Sequence, residues 1–364
     1  MIWYLINIFI ITLIWIVQKN DIIISTFLKN RIIIGKNKMV CIIGSLNWII
    51  LSGFRNISIG ADTYSYKVNF FDKIDSISWN KLLNDVYNKY ILRLPNMEKD
   101  LGYRVFEKIF HFFSNNYQLY LIFIAIIFFI LMGKFIYKYS KNVYLSYILF
   151  SCLFYSFYAI TGLRQTIATA LVVFCGIDLI KERKFYKFVF LIMIASTIHA
   201  SALCFLPFYW ISRINISYKM ILVYWGLIIG SFLFKNQVFN VFRLISGYDN
   251  YEFYSGATGG TFLLLLLLLA LFSSIFYKKI IDDQISSISL NALFVSCIFS
   301  SMLLINPACM RVIQYYSIFL ILLLPKCQNI FVNEYRRIFN FTVSSVLILL
   351  LILNNPTYSF FWMS

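Results

Sequence analysis

The sequence predicts an all-α, polytopic integral membrane protein, a single transmembrane domain over residues 1–364 with about twelve helices (range about 10–13). Two compositional facts and one pattern predict it. Hydrophobic residues make up 61% of the chain and charged residues 13%, with a mean hydropathy of +0.78. Soluble chains run at about 45–50% apolar and about 25% charged, so the solvent for this surface has to be lipid. The pattern is the alternation of apolar runs with short basic loops.

The apolar runs fall at 1–17, 39–53, 117–133, 143–160, 165–180, 186–198, 200–212, 219–234, 261–277, 286–305, 312–325 and 338–353. Several are shorter than the ~20 residues of a perpendicular span, and flanking Tyr, Trp and Lys extend them into the interface. The first run lacks a basic leading stretch and a small-residue cleavage site, so it is read as a span rather than a signal peptide. Residues 186–212 are expected to form a tight helical hairpin turning near His199-Ala200-Ser201. A single span there would invert every later loop. Leu263–Leu269 reads as lipid-facing helix.

Orientation follows from Lys and Arg. With the N-terminus outside, the inner loops carry Lys19, Lys29, Arg31, Lys36 and Lys38, then Lys134, Lys138 and Lys141, then Lys181, Arg183, Lys184 and Lys187, with further basic residues at 213–219, 278–279 and 326–337. The short outer loops hold only Arg164, Lys235, Arg243 and Arg311. Two outer loops are long. The first, 54–116, is nearly neutral, with nine basic and seven acidic residues, and its aromatic spacing suits amphipathic helices lying on the membrane. The second, 235–260, is rich in Tyr and Gly.

The net charge of +17 is accounted for by the inner loops and does not call for nucleic acid. The seven Cys are scattered, with neither metal-type spacing nor a pair to bridge. No GxxxxGK[ST] element occurs, which excludes a nucleotide-driven pump of that type. Asp282-Asp283 reads as solvated charge in an inner loop. His111 reads as structural or exposed.

Charged groups near membrane depth are costly and mark function. In this topology Arg55, Arg164, His199 and Arg311 all reach the outer face, with Asp62 just after Arg55, and no matching set falls at the midplane. Guanidinium forks suit phosphate oxygens. A neighbouring imidazole suits proton transfer near neutral pH. For any one of these residues, snorkelling to lipid headgroups is an equal reading; for Arg164, Arg311 and His199 together it is the weaker one.

These residues lie in motifs. Gly53–Tyr66, with Arg55, Gly60, Asp62 and Tyr66, resembles the R-x-x-x-x-G-x-D-x-x-x-Y signature of EpsG-type, Wzy-like polysaccharide polymerases. Asp100-Leu101-Gly102-Tyr103 is similar to that family's acidic-x-Gly-aromatic element. Arg164-Gln165-Thr166-Ile167-Ala168 is similar to its R-Q-x-I-A helix start. Ala195–Leu203 with Pro207 resembles its A-x-x-x-H-x-S-A-L…P hairpin, and Arg311, Tyr315 and Pro325 its late R…Y…P span. The ordered set covers about residues 50–325. Ala61 departs from the polar residue that many relatives carry.

The resemblance implies a glycosyltransferase of O-antigen or capsule assembly in the cytoplasmic (inner) membrane, with its active site facing outward. It would join undecaprenyl-diphosphate-linked oligosaccharide repeat units, with neither cofactor nor metal, in the company of a flippase and a chain-length regulator. The expected roles follow from both readings. Arg164 and Arg311, with Arg55, hold the diphosphate. His199, with Asp62 as second choice, takes the proton from the attacking hydroxyl. Tyr66, Gln165, Tyr248, Tyr251 and Tyr315 are candidate sugar contacts, against the alternative that these tyrosines are interfacial anchors. The rival readings are an O-antigen ligase, expected to carry its large outer loop late in the chain; a flippase, expected to show paired halves and midplane charges; and a membrane acyltransferase, expected to carry an early His.

Overall fold

A chain in hydrocarbon must satisfy its backbone N–H and C=O groups internally, and helices do so within one segment. In the computed structural model, which describes residues 1–19, 36–95, 97–153, 155–246 and 259–363, every named element is accordingly helical. The described residues contain five helices long and apolar enough to cross a membrane: Tyr117–Tyr139, Leu163–Lys181, Gly260–Ile280, Gln284–Leu304 and Asn333–Asn354. Counting each bent helix pair as one span raises the number to eight. The protein is therefore a polytopic helical membrane protein. Lys36–Gly53 is a further apolar helix and packs along Tyr117–Tyr139.

Several predicted spans are interrupted. The run at 312–325 is two helices, Pro307–Ser317 and Leu320–Ile330, bent by 57°. After Tyr218–Leu233 the chain turns by 85° into Lys235–Arg243. Side-chain caps start several helices. Asn116 accepts from the amides of Gln118 and Leu119, and Asn142 from that of Leu145. Each satisfies donors that no upstream carbonyl reaches.

The middle of the bundle is Val143–Cys152, all of whose residues are buried, and Gln284–Ser300, nearly so. At the periphery, Gly260–Ile280 exposes Leu264, Leu268, Leu271 and Ile275, as its uniform leucine run anticipates. Asp282 and Asp283 are not merely solvated charge. Lys326, with no exposed surface, reaches them at 2.5 and 2.6 Å, and Asp283 also caps the following helix through a reciprocal bond with Ser286. A buried ammonium requires such partners, so this cluster ties the loop before Gln284–Ser300 to the helix Leu320–Cys327.

Phe185–Ile198 and Ala200–Ile211 double back as a hairpin. The rings of Phe185 and Tyr209 lie 5.0 Å apart, and those of Phe188 and Tyr209 5.5 Å. The reversal is at His199, where the predicted turn falls; its backbone is extended (φ −152°, ψ 111°).

The segment after Gly53 forms the short helices Thr63–Asn69, Trp79–Tyr90 and Leu101–His111, with a 3-10 turn at Phe71–Ser76. Apolar residues of the first and last of these helices and of the turn point inward, whereas Trp79–Tyr90 buries only Leu82 and leaves Leu83 and Tyr87 exposed. Tyr66, Phe71, Tyr103 and Phe110 pack with Tyr117, Tyr120, Leu163 and Ile198 in a second core, separate from that of the bundle. The segment thus caps the starts of the Tyr117 and Leu163 helices and the end of the Phe185 helix, and it is this cap that closes over the polar residues.

Candidate active site

Three elements meet here: the start of Leu163–Lys181, the hairpin turn at His199 and, from the cap itself, the start of Leu101–His111. Asp100 precedes the last of these with a left-handed backbone (φ 56°, ψ 42°). Short polar side chains tolerate that region better than branched ones. Two residues on, Gly102 touches the hairpin: a Cβ there would stand 2.8 Å from the Thr197 carbonyl carbon. The absent side chain lets the two helix ends close, and Asp100 is delivered to the turn.

The Asp100 carboxylate is the hub. Its Oδ2 accepts a 2.7 Å bond from Arg164 Nη1 and faces His199 Nδ1 at 3.6 Å; its Oδ1 accepts the Ala200 amide at 3.2 Å. Burial works to raise the carboxyl's pKa, but the contacts from His199, Arg164 and the Ala200 amide outweigh it and hold Asp100 below the usual carboxylate range. His199 is 4% exposed, and neither ring nitrogen makes a hydrogen bond among the described residues; Nδ1 faces Asp100 just beyond that reach. Burial pushes the imidazole pKa below its ordinary value; Asp100 opposes that shift, and Arg311 and Arg164 add to it.

Arg164 is held on every side. Its Nε donates to the Tyr66 hydroxyl at 3.1 Å, and its guanidinium lies 5.1 Å from the Tyr66 ring and 5.0 Å from that of Phe70. It stands one layer behind the cleft, not in its wall. The cleft, about 200 Å3, is lined by Asp62, Tyr66, Gln165, His199 and Arg311, among others. Asp62 precedes the Thr63–Asn69 helix without spending its side chain on a cap bond. Gly60 turns the chain into it at φ +92°, where a Cβ would stand 2.7 Å from Thr63 Oγ1. Arg311 starts the Met310–Ser317 helix and is placed by Gln165, whose Nε2 donates to the Arg311 carbonyl at 2.8 Å.

The remaining predicted residues take other positions. Tyr66 lines the cleft, but its ring packs with Arg164, Phe70 and Tyr103, so it braces the arginine. Tyr315 is fully buried behind the cleft, joined through Ser201 (3.2 Å) to Gln165. Arg55 is not brought to the cleft. It is completely buried beside Ser52, and its backbone bridges to Phe360 near the C-terminus. Tyr248 and Tyr251 lie outside the described residues. His111 bonds Asp75 at 3.0 Å and packs on Phe71, a structural role. Among the described residues, no three His, Cys, Asp or Glu side chains gather as a metal site needs. Sequence reasoning placed Asp100 in a motif but gave it no role; the acidic-x-Gly spacing was the signal that could have found it.

The cleft therefore presents an imidazole facing a carboxylate, an arginine and a second carboxylate. Such a set can take a proton from a hydroxyl and hold an anion. A family model described as "EpsG family" matches residues 38–363. No curated protein and no solved structure matches the chain.

Proposed function

The chain belongs to the EpsG family, whose members are Wzy-like polymerases and other exopolysaccharide-biosynthesis proteins, and we propose that it is a polymerase joining undecaprenyl-diphosphate-linked oligosaccharide repeat units at the outer face of the cytoplasmic membrane. In this reading the chain has about twelve spans, the segment 54–116 lies outside, and the cap-and-hairpin cleft is the reaction site.

The observation that carries the reading is the Asp100–His199 pair beside Arg311. His199 Nδ1 faces Asp100, which leaves Nε2 for the acceptor sugar's hydroxyl. As that oxygen attacks the anomeric carbon of the donor, its proton passes to Nε2 and the carbon–oxygen bond to the diphosphate breaks. Arg311 neutralises the charge gathering on the departing diphosphate. Asp100 stabilises the imidazolium and fixes the ring, as in other carboxylate–histidine pairs. Arg164, already paired with Asp100, frames the site and adds to its positive potential. The Gln165–Ser201–Tyr315 chain fixes the backbone at Arg311.

The test is a gel of surface polysaccharide from a deletion strain complemented with wild type, His199→Ala or Arg311→Ala. A deletion that leaves single repeat units on the acceptor, with a ladder restored by wild type and not by either variant, supports the reading. Bare acceptor with polymer stranded on the lipid carrier identifies a ligase, and single units trapped inside identify a flippase.

A further inference from the structure

We propose that a second, larger groove beside the cleft binds the acceptor glycan, the sugars of the repeat unit that supplies the attacking hydroxyl. The proposal rests on the polymerase reading and adds a site to it. The groove measures about 730 Å3, within the range of pockets that hold small organic ligands. It runs from the 57–64 turn past the Tyr155–Thr161 helix to the end of the Asn333–Asn354 helix, and it shares Ala61, Phe157 and Thr161 with the wall of the catalytic cleft. The two spaces therefore lie side by side, as a two-substrate transfer requires: one holds the reacting centre, the other the glycan beside it.

The lining selects the ligand class. Among the described residues no charged side chain contributes to it, so it offers nothing to a diphosphate. It is not a purely apolar wall for a polyprenyl tail either, because Ser58, Tyr64, Asn354 and Thr357 line it with hydroxyl and amide groups. Tyr64 and Phe157 are 60% and 53% exposed. Uncharged donors and acceptors combined with exposed aromatic faces match a neutral oligosaccharide, whose hydroxyls bond the former and whose C–H faces stack on the latter. The C-terminal helix thereby helps set which glycan is accepted, with no catalytic group of its own.

The experiment uses the full-length protein in lipid nanodiscs. The probe is the soluble repeat-unit oligosaccharide released from the cell's own polysaccharide, carrying no lipid. Binding is read by saturation-transfer NMR, and transfer kinetics are measured with lipid-linked units. Tyr64→Ala and Asn354→Ala change exposed side chains and remove no core packing. Each is expected to weaken oligosaccharide binding about tenfold, a little over 1 kcal/mol, and to raise the acceptor KM with kcat unchanged. Arg311→Ala is expected to abolish transfer while leaving oligosaccharide binding intact. The proposal is overturned if wild type binds no free oligosaccharide, if the groove variants bind it as wild type does, or if they change only the KM of the lipid-linked donor, which would make the groove a lipid channel. Wild-type protein that binds the oligosaccharide through the groove yet forms no polymer refutes the polymerase reading alone.

Discussion

Asp100→Asn removes one charge and almost no volume. The carboxylate receives Arg164 at 2.7 Å and the Ala200 amide at 3.2 Å, and faces His199 at 3.6 Å. Its side chain is 5% exposed and that of Arg164 22%, so solvent screens the pair little. A hydrogen bond to a charged group contributes about 1.5–3 kcal/mol. An asparagine keeps one acceptor, for Arg164 or for Ala200 but not for both, and turns an N–H toward a donor. The loss is therefore about 3 kcal/mol, borne partly by the position of the hairpin turn and partly by the imidazole. Were all of it expressed at the transition state, transfer would slow roughly 10²-fold, at 1.36 kcal/mol per factor of ten. The assay is single-turnover transfer between lipid-linked units by purified variant, normalised to folded protein. A variant present at wild-type level with wild-type rate would refute the assignment of Asp100 as the group that orients His199.

Three further outcomes follow from the same geometry. In the proposed mechanism His199 serves as base only while neutral, and since burial lowers its pKa, the acid limb of a kcat/KM–pH profile should lie below the ~6.5 of free imidazole; Asp100→Asn, which deletes the group pulling that pKa up, should move the limb further to acid. Glu107 is buried, its oxygens lack hydrogen-bond partners among the described residues, and its pKa is raised to about 8 by burial, against the opposing influence of Tyr103, Arg104 and Arg164. A carboxyl raised in the folded state makes stability fall as pH climbs from the unfolded value near ~4.3 toward that figure. Glu107→Gln should therefore melt above wild type in detergent, by a margin that widens between pH 5 and 8; a constant margin would contradict this. Gly102→Ala should strip polymer from a complemented strain while leaving protein in the membrane, because its Cβ pushes Leu101–His111, and Asp100 with it, off the hairpin turn.

Composition and basic-loop spacing made the helical membrane fold legible, and the hairpin turn at His199 was legible from the need to keep every later loop on its own side. The bends were not. The 57° break between Pro307–Ser317 and Leu320–Ile330 interrupts a continuous apolar run, and hydropathy averages over such a break. The inward packing of the 54–116 helices was hidden for a related reason: an amphipathic face reads alike whether it meets lipid or protein. At the site, the residue types were legible and their layering was not. Arg55 and Arg164 are chemically equivalent as symbols, yet one is buried beside Ser52 and the other is paired with a carboxylate 64 positions earlier. Asp100 meets its partners only because a left-handed residue and a glycine let two distant helix ends touch, and no local periodicity encodes that contact.

In the proposed function this cleft transfers a glycan from a lipid diphosphate to another lipid-linked glycan. The most direct measurement supplies the purified full-length protein in nanodiscs with one substrate, the undecaprenyl-diphosphate-linked repeat unit, and follows products by mass. The expected products are lipid-linked glycans at whole multiples of the repeat, with one free undecaprenyl diphosphate released per linkage formed, and neither with His199→Ala. Unchanged monomer in the presence of folded, substrate-bound wild-type protein would contradict it.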